Sequence, residues 1–279
     1  MSDVANDVAA VVIDYHADHV LVECVDSLLA NGVHEIVVVE NGEVGSVPAS
    51  LSDRGVVLVS PGVNLGYGRG INLGVALARP MKYVLASNPD VVVHEGAVAS
   101  LVSYLDAHEE VALVGPEVRR PDGSVYPSMR VFPNVWLAGL HAVLAPMWPS
   151  NPATKKYRST RSDGSVDWVS GACFLVRRSA FELVGGFDER YFMFAEDMAL
   201  CWQLREHGFK VAATTEAVVT HIEGVSRARA PRDMLIAHHR SALRFEFQTA
   251  KGWRRLLVPL AALVLSFRLF LVLVARPKS

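Results

Sequence analysis

The sequence predicts an α/β fold in which a mainly parallel central sheet is flanked by helices. Two observations carry this. Short, wholly apolar runs recur at residues 8–13, 36–39, 56–59 and 83–86, as strands buried on both faces require. Between them lie stretches whose apolar residues repeat at helical spacing, so strand and helix alternate and the crossovers are right-handed. A third observation adds an appendage: residues 256–275 are nearly all apolar and predict a C-terminal helical tail that associates with a membrane.

The first strand, 8–13, ends at Asp14, Tyr15 and His16. Asp18 is positioned to cap the next helix, where Leu21, Cys24, Val25, Leu28 and Leu29 share a face and Gly32 ends it. The second strand, 36–39, runs into Glu40-Asn41-Gly42. The third, 56–59, is followed by a glycine-rich turn from Asn64 through Gly66, Gly68 and Gly70 to Asn72, then a helix to about residue 78. That turn is not a dinucleotide fingerprint, because Ile71 stands where the last glycine belongs, and it lacks the Lys-Ser/Thr pair of a P-loop. Its glycines still let backbone N–H groups approach a phosphate; a tight loop without a ligand fits them equally.

The fourth strand, 83–86, must stop at Pro89, which leaves Asn88 and Asp90 beyond its C-terminal end. In open α/β sheets ligands bind in the crevice outside those ends, and a carboxylate there can hold a divalent cation against phosphate oxygens. A turn that uses Asn, Pro and Asp for backbone reasons is the alternative. Residues 98–105 read as a helix and 111–114 as a strand. From 116 to about 165 the pattern loosens around Pro121, Pro127, Pro133, Pro146, Pro149 and Pro152, with Trp136 and Trp148 among them, as in a binding loop. Arg119, Arg120, Arg130, Arg158 and Arg161 there are solvated charges or contacts to an anion. Residues 166–177 read as strand, break at Gly171, strand. Glu196 and Asp197 open a helix, where its dipole favours carboxylates. Residues 209–214 and 217–220 read as short strands, and the second delivers His221 as a ligand candidate.

Net charge of −2 excludes a broad nucleic-acid footprint. Cys24, Cys173 and Cys201 form no C-x-x-C and cannot all pair, which suits a reducing compartment. Asp3 and Asp7 beside a short apolar run do not make a signal peptide. A hydrophobic content of 51% nonetheless calls for a membrane-facing piece. Lys251, Arg254, Arg255, Arg276 and Lys278 flank the apolar tail and suit anionic headgroups, whereas Arg268 within it disfavours a simple span. A buried core helix is the other reading of that tail.

The segments VVIDYH, IVVVEN, NLGYGRGIN, YVLASNPDV, VSGACFLVRRSAFELVGGFDERYFMFAEDMALCWQL and VVTHIEG run in order over most of residues 8–226. Together they resemble the family 2 glycosyltransferases of the GT-A fold, whose sheet is Rossmann-like. The resemblance implies a nucleotide-sugar-binding half at 1–115, an acceptor-binding and catalytic half at 116–230, and the membrane-associating segment at 231–279. It implies that Tyr15, Glu40, Asn64, Gly66, Gly70, Asn88 and Asp90 bind the nucleotide sugar, and that Asp90 and His221 hold Mg²⁺ or Mn²⁺. Asp197 matches the general base, with Glu196 beside it, and Arg130, Trp168 and Gly171 fall on the acceptor side. Three positions depart from the family pattern: Asn88 replaces an Asp, Glu40 replaces an Asp, and Asp14 stands where Asn is usual.

RPDGSVYPSMRVFP and GLHAVLAPMWPSNPATKKYR further resemble the rhamnosyltransferases of actinobacterial cell-wall synthesis. That implies inverting transfer of L-rhamnose from dTDP-L-rhamnose to N-acetylglucosaminyl-diphospho-polyprenol, in the linker between peptidoglycan and arabinogalactan. The expected location is the cytoplasmic face of the cell membrane, peripheral or C-terminally anchored. Alternatives are another donor or acceptor in polysaccharide or O-antigen synthesis, a nucleotidyltransferase, and a non-catalytic sugar-nucleotide-binding protein.

Overall fold

The computed structural model of the chain describes residues 4–42, 45, 47–132, 148, 150–152, 155, 165–222 and 231–275. The first half alternates as expected: β1 (Val8–Asp14), α1 (Asp18–Ala30), β2 (Glu35–Glu40), β3 (Val57–Val59), α2 (Tyr67–Leu77), β4 (Tyr83–Ser87), β5 (Val91–Val93) and α3 (Ala97–Ala107). There follow β6 (Val111–Arg119), β7 (Met129–Arg130), β8 (Ser165–Val166), β9 (Trp168–Val169), β10 (Cys173–Arg177), α4 (Arg178–Leu183), α5 (Glu196–Glu206), β11 (Lys210–His221), α6 (Pro231–Thr249) and α7 (Val258–Ala275). Trp136, Arg158 and Arg161 lie outside the described residues, and Trp148 is exposed.

Among the described residues nine strands form the main sheet, in the order β3-β2-β1-β4-β10-β6-β11-β5, with β8 also on β11. The pairings β3-β2, β2-β1 and β1-β4 are parallel. β10 enters antiparallel between β4 and β6. Both faces of β1 are apolar, so alternate residues enter two cores: Val8, Ala10 and Val12 meet Leu21, Leu28 and Leu101, while Ala9, Val11 and Ile13 meet Ile71, Phe181 and Leu204. Helix α2 lies close against the sheet because it is glycine-rich on that side. A Cβ at Gly70 would sit 2.9 Å from Ile13 Cδ1, and one at Gly74 would overlap Val11.

Two local expectations change. Asp18 is the first residue of α1 rather than its cap; the carboxylate that accepts a backbone N–H at this end is Asp14, 3.2 Å from Ala17 N. The two short strands expected at 209–220 are one strand, β11. Its register against β6 slips between Thr214 and Val218, so a bulge in polar sequence separates two apolar stretches of a single strand.

Past β11, Phe245 of α6 is buried with Tyr191, Ala195 and Ala199. Helix α7 packs against α6 but leaves Leu260, Leu263, Val264 and Phe267 between 52% and 68% exposed. Trp253 and Leu256, just before it, are also exposed. The described part of the tail is therefore helical and mostly exposed between Lys251 and Phe267, unlike a core helix. Among the described residues no helix is long and apolar enough to cross a membrane.

Candidate active site

The C-terminal edge of the parallel strands supplies one wall of the site. Asn41, next after β2, donates from its N–H to Asp14 O at 2.7 Å and from its side chain to Gly66 O at 3.0 Å, and accepts the Leu65 N–H at 2.9 Å. Asn64 accepts the Gly66 N–H at 2.9 Å. The glycine-rich turn is thus pinned to the ends of β1 and β2 by the Asn41 side chain and braced internally by Asn64. Gly66 adopts φ +81°, and a Cβ there would overlap Phe192 O. Gly66→Ala is expected to destabilise the fold by at least ~2 kcal/mol, combining left-handed strain with a backbone collision. A thermal midpoint equal to that of the parent would contradict this.

Asn88-Pro89-Asp90 leaves β4 as expected, and the antiparallel β10 brings a second wall against it. Cys173 pairs with Ser87, and the Asn88 N–H donates to Ala172 O at 2.9 Å. The end of β11 closes the corner: Ile222 N–H donates to Asp90 O, and His221 Nε2 lies 3.1 Å from Asp90 Oδ1 and 3.4 Å from Asn88 Nδ2. Asp90 and His221 are both buried, and Asp90 Oδ1 and His221 Nδ1 have no aligned hydrogen-bond partner among the described residues. A buried carboxylate oxygen left without a donor, beside an imidazole, is a donor set that suits a divalent cation. Among the described residues no third His, Cys, Asp or Glu joins them.

The opposite wall carries a carboxylate pair. Phe194 and Ala195 take successive left-handed conformations, φ 66° and 63°, which turn the chain sharply into α5 and direct Glu196 and Asp197 to the cleft. Asp197 accepts N–H groups from Gly171 at 2.9 Å and from Met198 at 2.8 Å. Gly171 O in turn accepts the Tyr67 hydroxyl at 2.6 Å, so Gly171 links the start of α2 to Asp197. Across the β7–β9 ladder Arg130 pairs with Trp168, and its guanidinium lies 5.3 Å from the indole ring.

Burial raises both carboxyl groups above their ordinary values, Glu196 to about 8. Glu196 is pushed further by the charge of Asp197, and its Oε2 has no hydrogen-bond partner among the described residues. For Asp197 the two backbone N–H groups and the Arg130 charge act the other way. Of the two, Asp197 has the donors that favour a carboxylate, while burial and the adjacent charge push Glu196 toward its protonated form.

These walls enclose one cleft of about 1830 Å³. Tyr15, Asn64, Gly66, Asn88 and Asp90 line it on the β1–β4 side, and Arg130, Trp168, Gly171, Glu196, Asp197 and His221 line the rest. Two expected residues are not at the cleft. Glu40 is buried behind it, where it accepts the Val47 N–H at 2.9 Å and the Ser60 hydroxyl. Gly70 faces Ile13 within the helix–sheet contact. Asn41 takes the cleft position one residue on from Glu40.

A family model described as glycosyltransferase like family 2 matches residues 5–240. The chain belongs to this family. An N-acetylglucosaminyl-diphospho-decaprenol L-rhamnosyltransferase of Mycobacterium tuberculosis is 39% identical over 235 residues, covering 79% of this chain and 76% of the relative. The rhamnosyltransferase WbbL of Escherichia coli is 28% identical over 211 residues, covering 70% and 75%. Among solved structures, a mannosyltransferase of Pyrobaculum calidifontis in complex with GDP-Man and Mn²⁺ superposes with a TM-score of 0.61 at 16% identity, covering 98% of this chain and 76% of that one. GalNAc-T7 with UDP, GalNAc and Mn²⁺ gives 0.59 at 14% identity, covering 87% and 52%. These likenesses establish the GT-A fold of this glycosyltransferase.

The expected site residues did not include Asn41, Tyr126, the 192–195 turn or α6, all of which line the cleft of this transferase. Asn41 had a signal, its place at a strand end. Met234, Arg240, Arg244 and Phe247 had none, because α6 lies outside the quoted motifs.

Proposed function

We propose that this glycosyltransferase moves L-rhamnose from dTDP-L-rhamnose to N-acetylglucosaminyl-diphospho-polyprenol, with inversion, at the cytoplasmic face of a membrane. The observation that carries the reaction class is one cleft holding a carboxylate with hydrogen-bonded support, Asp197, together with the Asp90–His221 pair. The 39% identity to the mycobacterial enzyme supports the choice of donor and acceptor.

In this reading Tyr15, Asn41, Asn64 and Gly66 receive the nucleotide, and Asn88 and Asp90 the diphosphate. Asp90 and His221 would hold Mg²⁺ or Mn²⁺, which when bound neutralises charge on the departing diphosphate. Asp197 takes the proton from the acceptor hydroxyl, a step typically worth ~10²–10⁴-fold in rate. Arg130, over the Trp168 ring, faces the acceptor side, and its charge joins the Gly171 and Met198 N–H groups in favouring the Asp197 carboxylate. Attack from the side of Asp197 displaces the diphosphate in line, so a single base gives inversion and no covalent nucleophile is needed. The domain reading follows: 1–115 serves the donor, 116–230 the acceptor and the chemistry, and 231–279 the membrane, with α6 also shared with the cleft.

Incubation with labelled dTDP-L-rhamnose and the lipid acceptor, against a panel of other sugar nucleotides, tests this. Rhamnosyl-lipid is the expected product. Transfer from another donor only, pyrophosphate release, or binding without turnover would each replace the proposal.

The exposed apolar residues of α7, with Trp253, Leu256 and the neighbouring Lys251, Arg254 and Arg255, support an interfacial contact with anionic lipid. Truncation before Lys251 is expected to release the protein from phosphatidylglycerol vesicles in a flotation assay. Activity on bilayer-embedded acceptor should fall while that on a short soluble analogue persists. Continued flotation of the truncated chain would move the membrane contact elsewhere.

A further inference from the structure

One face of α6 is chemically unlike the rest of the cleft. Arg240 and Arg244 are exposed, stand one helical turn apart and both line the cavity. Arg240 has no hydrogen-bond or ion-pair partner among the described residues. Arg244 lies 5.9 Å from the Tyr191 ring. Arg190 adds a third guanidinium at this rim, where Asp188 already holds it. Three guanidinium groups against one carboxylate leave this wall positive. Phe247, three residues beyond Arg244, lines the same cavity and is 61% exposed. Along α6 the surface thus passes from cationic to apolar within about two turns, or ~10 Å.

A ligand matched to this face is an anion joined to an apolar chain. The diphosphate of the donor has a different address, the Asp90–His221 corner. Helix α6 is also tied to the chain that leads into Asp197: the Tyr191 hydroxyl donates to Gln248 Oε1 at 2.8 Å and the Ser241 hydroxyl to Met193 O at 2.8 Å. A group held by α6 is therefore held at a set distance from the carboxylate that deprotonates the acceptor.

We propose that Arg240 and Arg244 form a second diphosphate subsite, which grips the lipid acceptor through its diphosphate while the prenyl chain leaves over Phe247. This rests on the acceptor being a lipid diphosphate, as in the reading above. Forked guanidinium groups suit phosphate oxygens better than point charges do.

The test uses the full chain with farnesyl diphosphate as probe and dTDP at saturation to fill the donor side, with binding followed by calorimetry. The wild type is expected to bind. The double variant R240Q/R244Q is expected to lose ~10-fold or more in affinity for the probe, with dTDP affinity unchanged and circular dichroism as in the parent. R240K/R244K restores part of the loss. The KM for N-acetylglucosaminyl-diphospho-polyprenol rises in parallel, and the KM for the sugar nucleotide does not. Unchanged probe affinity in R240Q/R244Q would overturn the subsite, as would an equal loss of dTDP affinity. So would a loss confined to phosphatidylglycerol vesicles, which makes the arginines a lipid-surface contact. If the wild type transfers no rhamnose yet binds the probe through these arginines, the rhamnosyl assignment fails and the subsite stands.

Discussion

Replacing Asp197 with Asn is expected to lower kcat by ~10²-fold or more while dTDP binds as before. Asn keeps the side-chain shape and a carbonyl oxygen for the Gly171 N–H, now 2.9 Å from Asp197 Oδ2, so the linkage to α2 persists. What disappears is the proton acceptor. The neighbouring carboxyl is a poor substitute: the adjacent charge goes with the substitution, but burial, the larger cause, still favours the protonated form of Glu196. The pH dependence carries the same signature. Burial raises the Asp197 carboxyl, and a base works only when deprotonated, so turnover falls as pH drops through that raised value. The acidic limb of kcat should therefore lie above the ordinary aspartate value and vanish in Asp197→Asn. Near-normal turnover in the variant, or a limb at the free-carboxylate position, would remove Asp197 from this role.

Chelation is expected to have an effect of similar size. EDTA should abolish transfer, and Mg²⁺ or Mn²⁺ should restore it. Asp90→Ala should weaken dTDP-sugar binding and turnover together and leave no metal concentration that rescues either. Since the corner offers one carboxylate and one imidazole, metal affinity measured without nucleotide should be weak and should rise when dTDP is added. Full activity in chelator would reduce Asn88-Pro89-Asp90 to a turn, the plainer reading of those three residues.

The first half of the fold was legible because its central strands are buried apolar runs and the chain meets its neighbours locally: 8–13, 36–39 and 83–86 all became parallel strands, whereas β3, expected to be buried on both faces, lies at the sheet edge with Val57 and Leu58 exposed. Asp90, Asp197 and His221 were legible because they sit at strand or helix ends, where side chains face the crevice. Glu40 does not line the cleft, whereas the next residue, Asn41, does. In a strand the side chain alternates sides, so the carboxylate points to Val47 and Ser60 while Asn41 reaches the cleft. Gly70 reads as part of a phosphate turn, yet its missing side chain serves the packing of α2 on β1. Helix α6 was hidden for another reason. Its contribution depends on docking against the 191–195 turn, a contact between distant segments that no local pattern encodes.

The antiparallel entry of β10 also sets the order in which the chain can fold as it is made. β4 is complete at Ser87, but the neighbour on its open side arrives only with Cys173, and β6 has no place in the sheet until that strand is in. At roughly 5–20 residues per second, ribosomal synthesis leaves that edge unpaired for several seconds. During this time the emerging chain presents Tyr83, Val84 and Leu85, all destined for the core, along an exposed strand edge. Such an edge is open to pairing with other chains. The same insertion that brings the two walls of the cleft together therefore leaves the nascent half-protein with an unprotected strand edge until residue 177 has emerged.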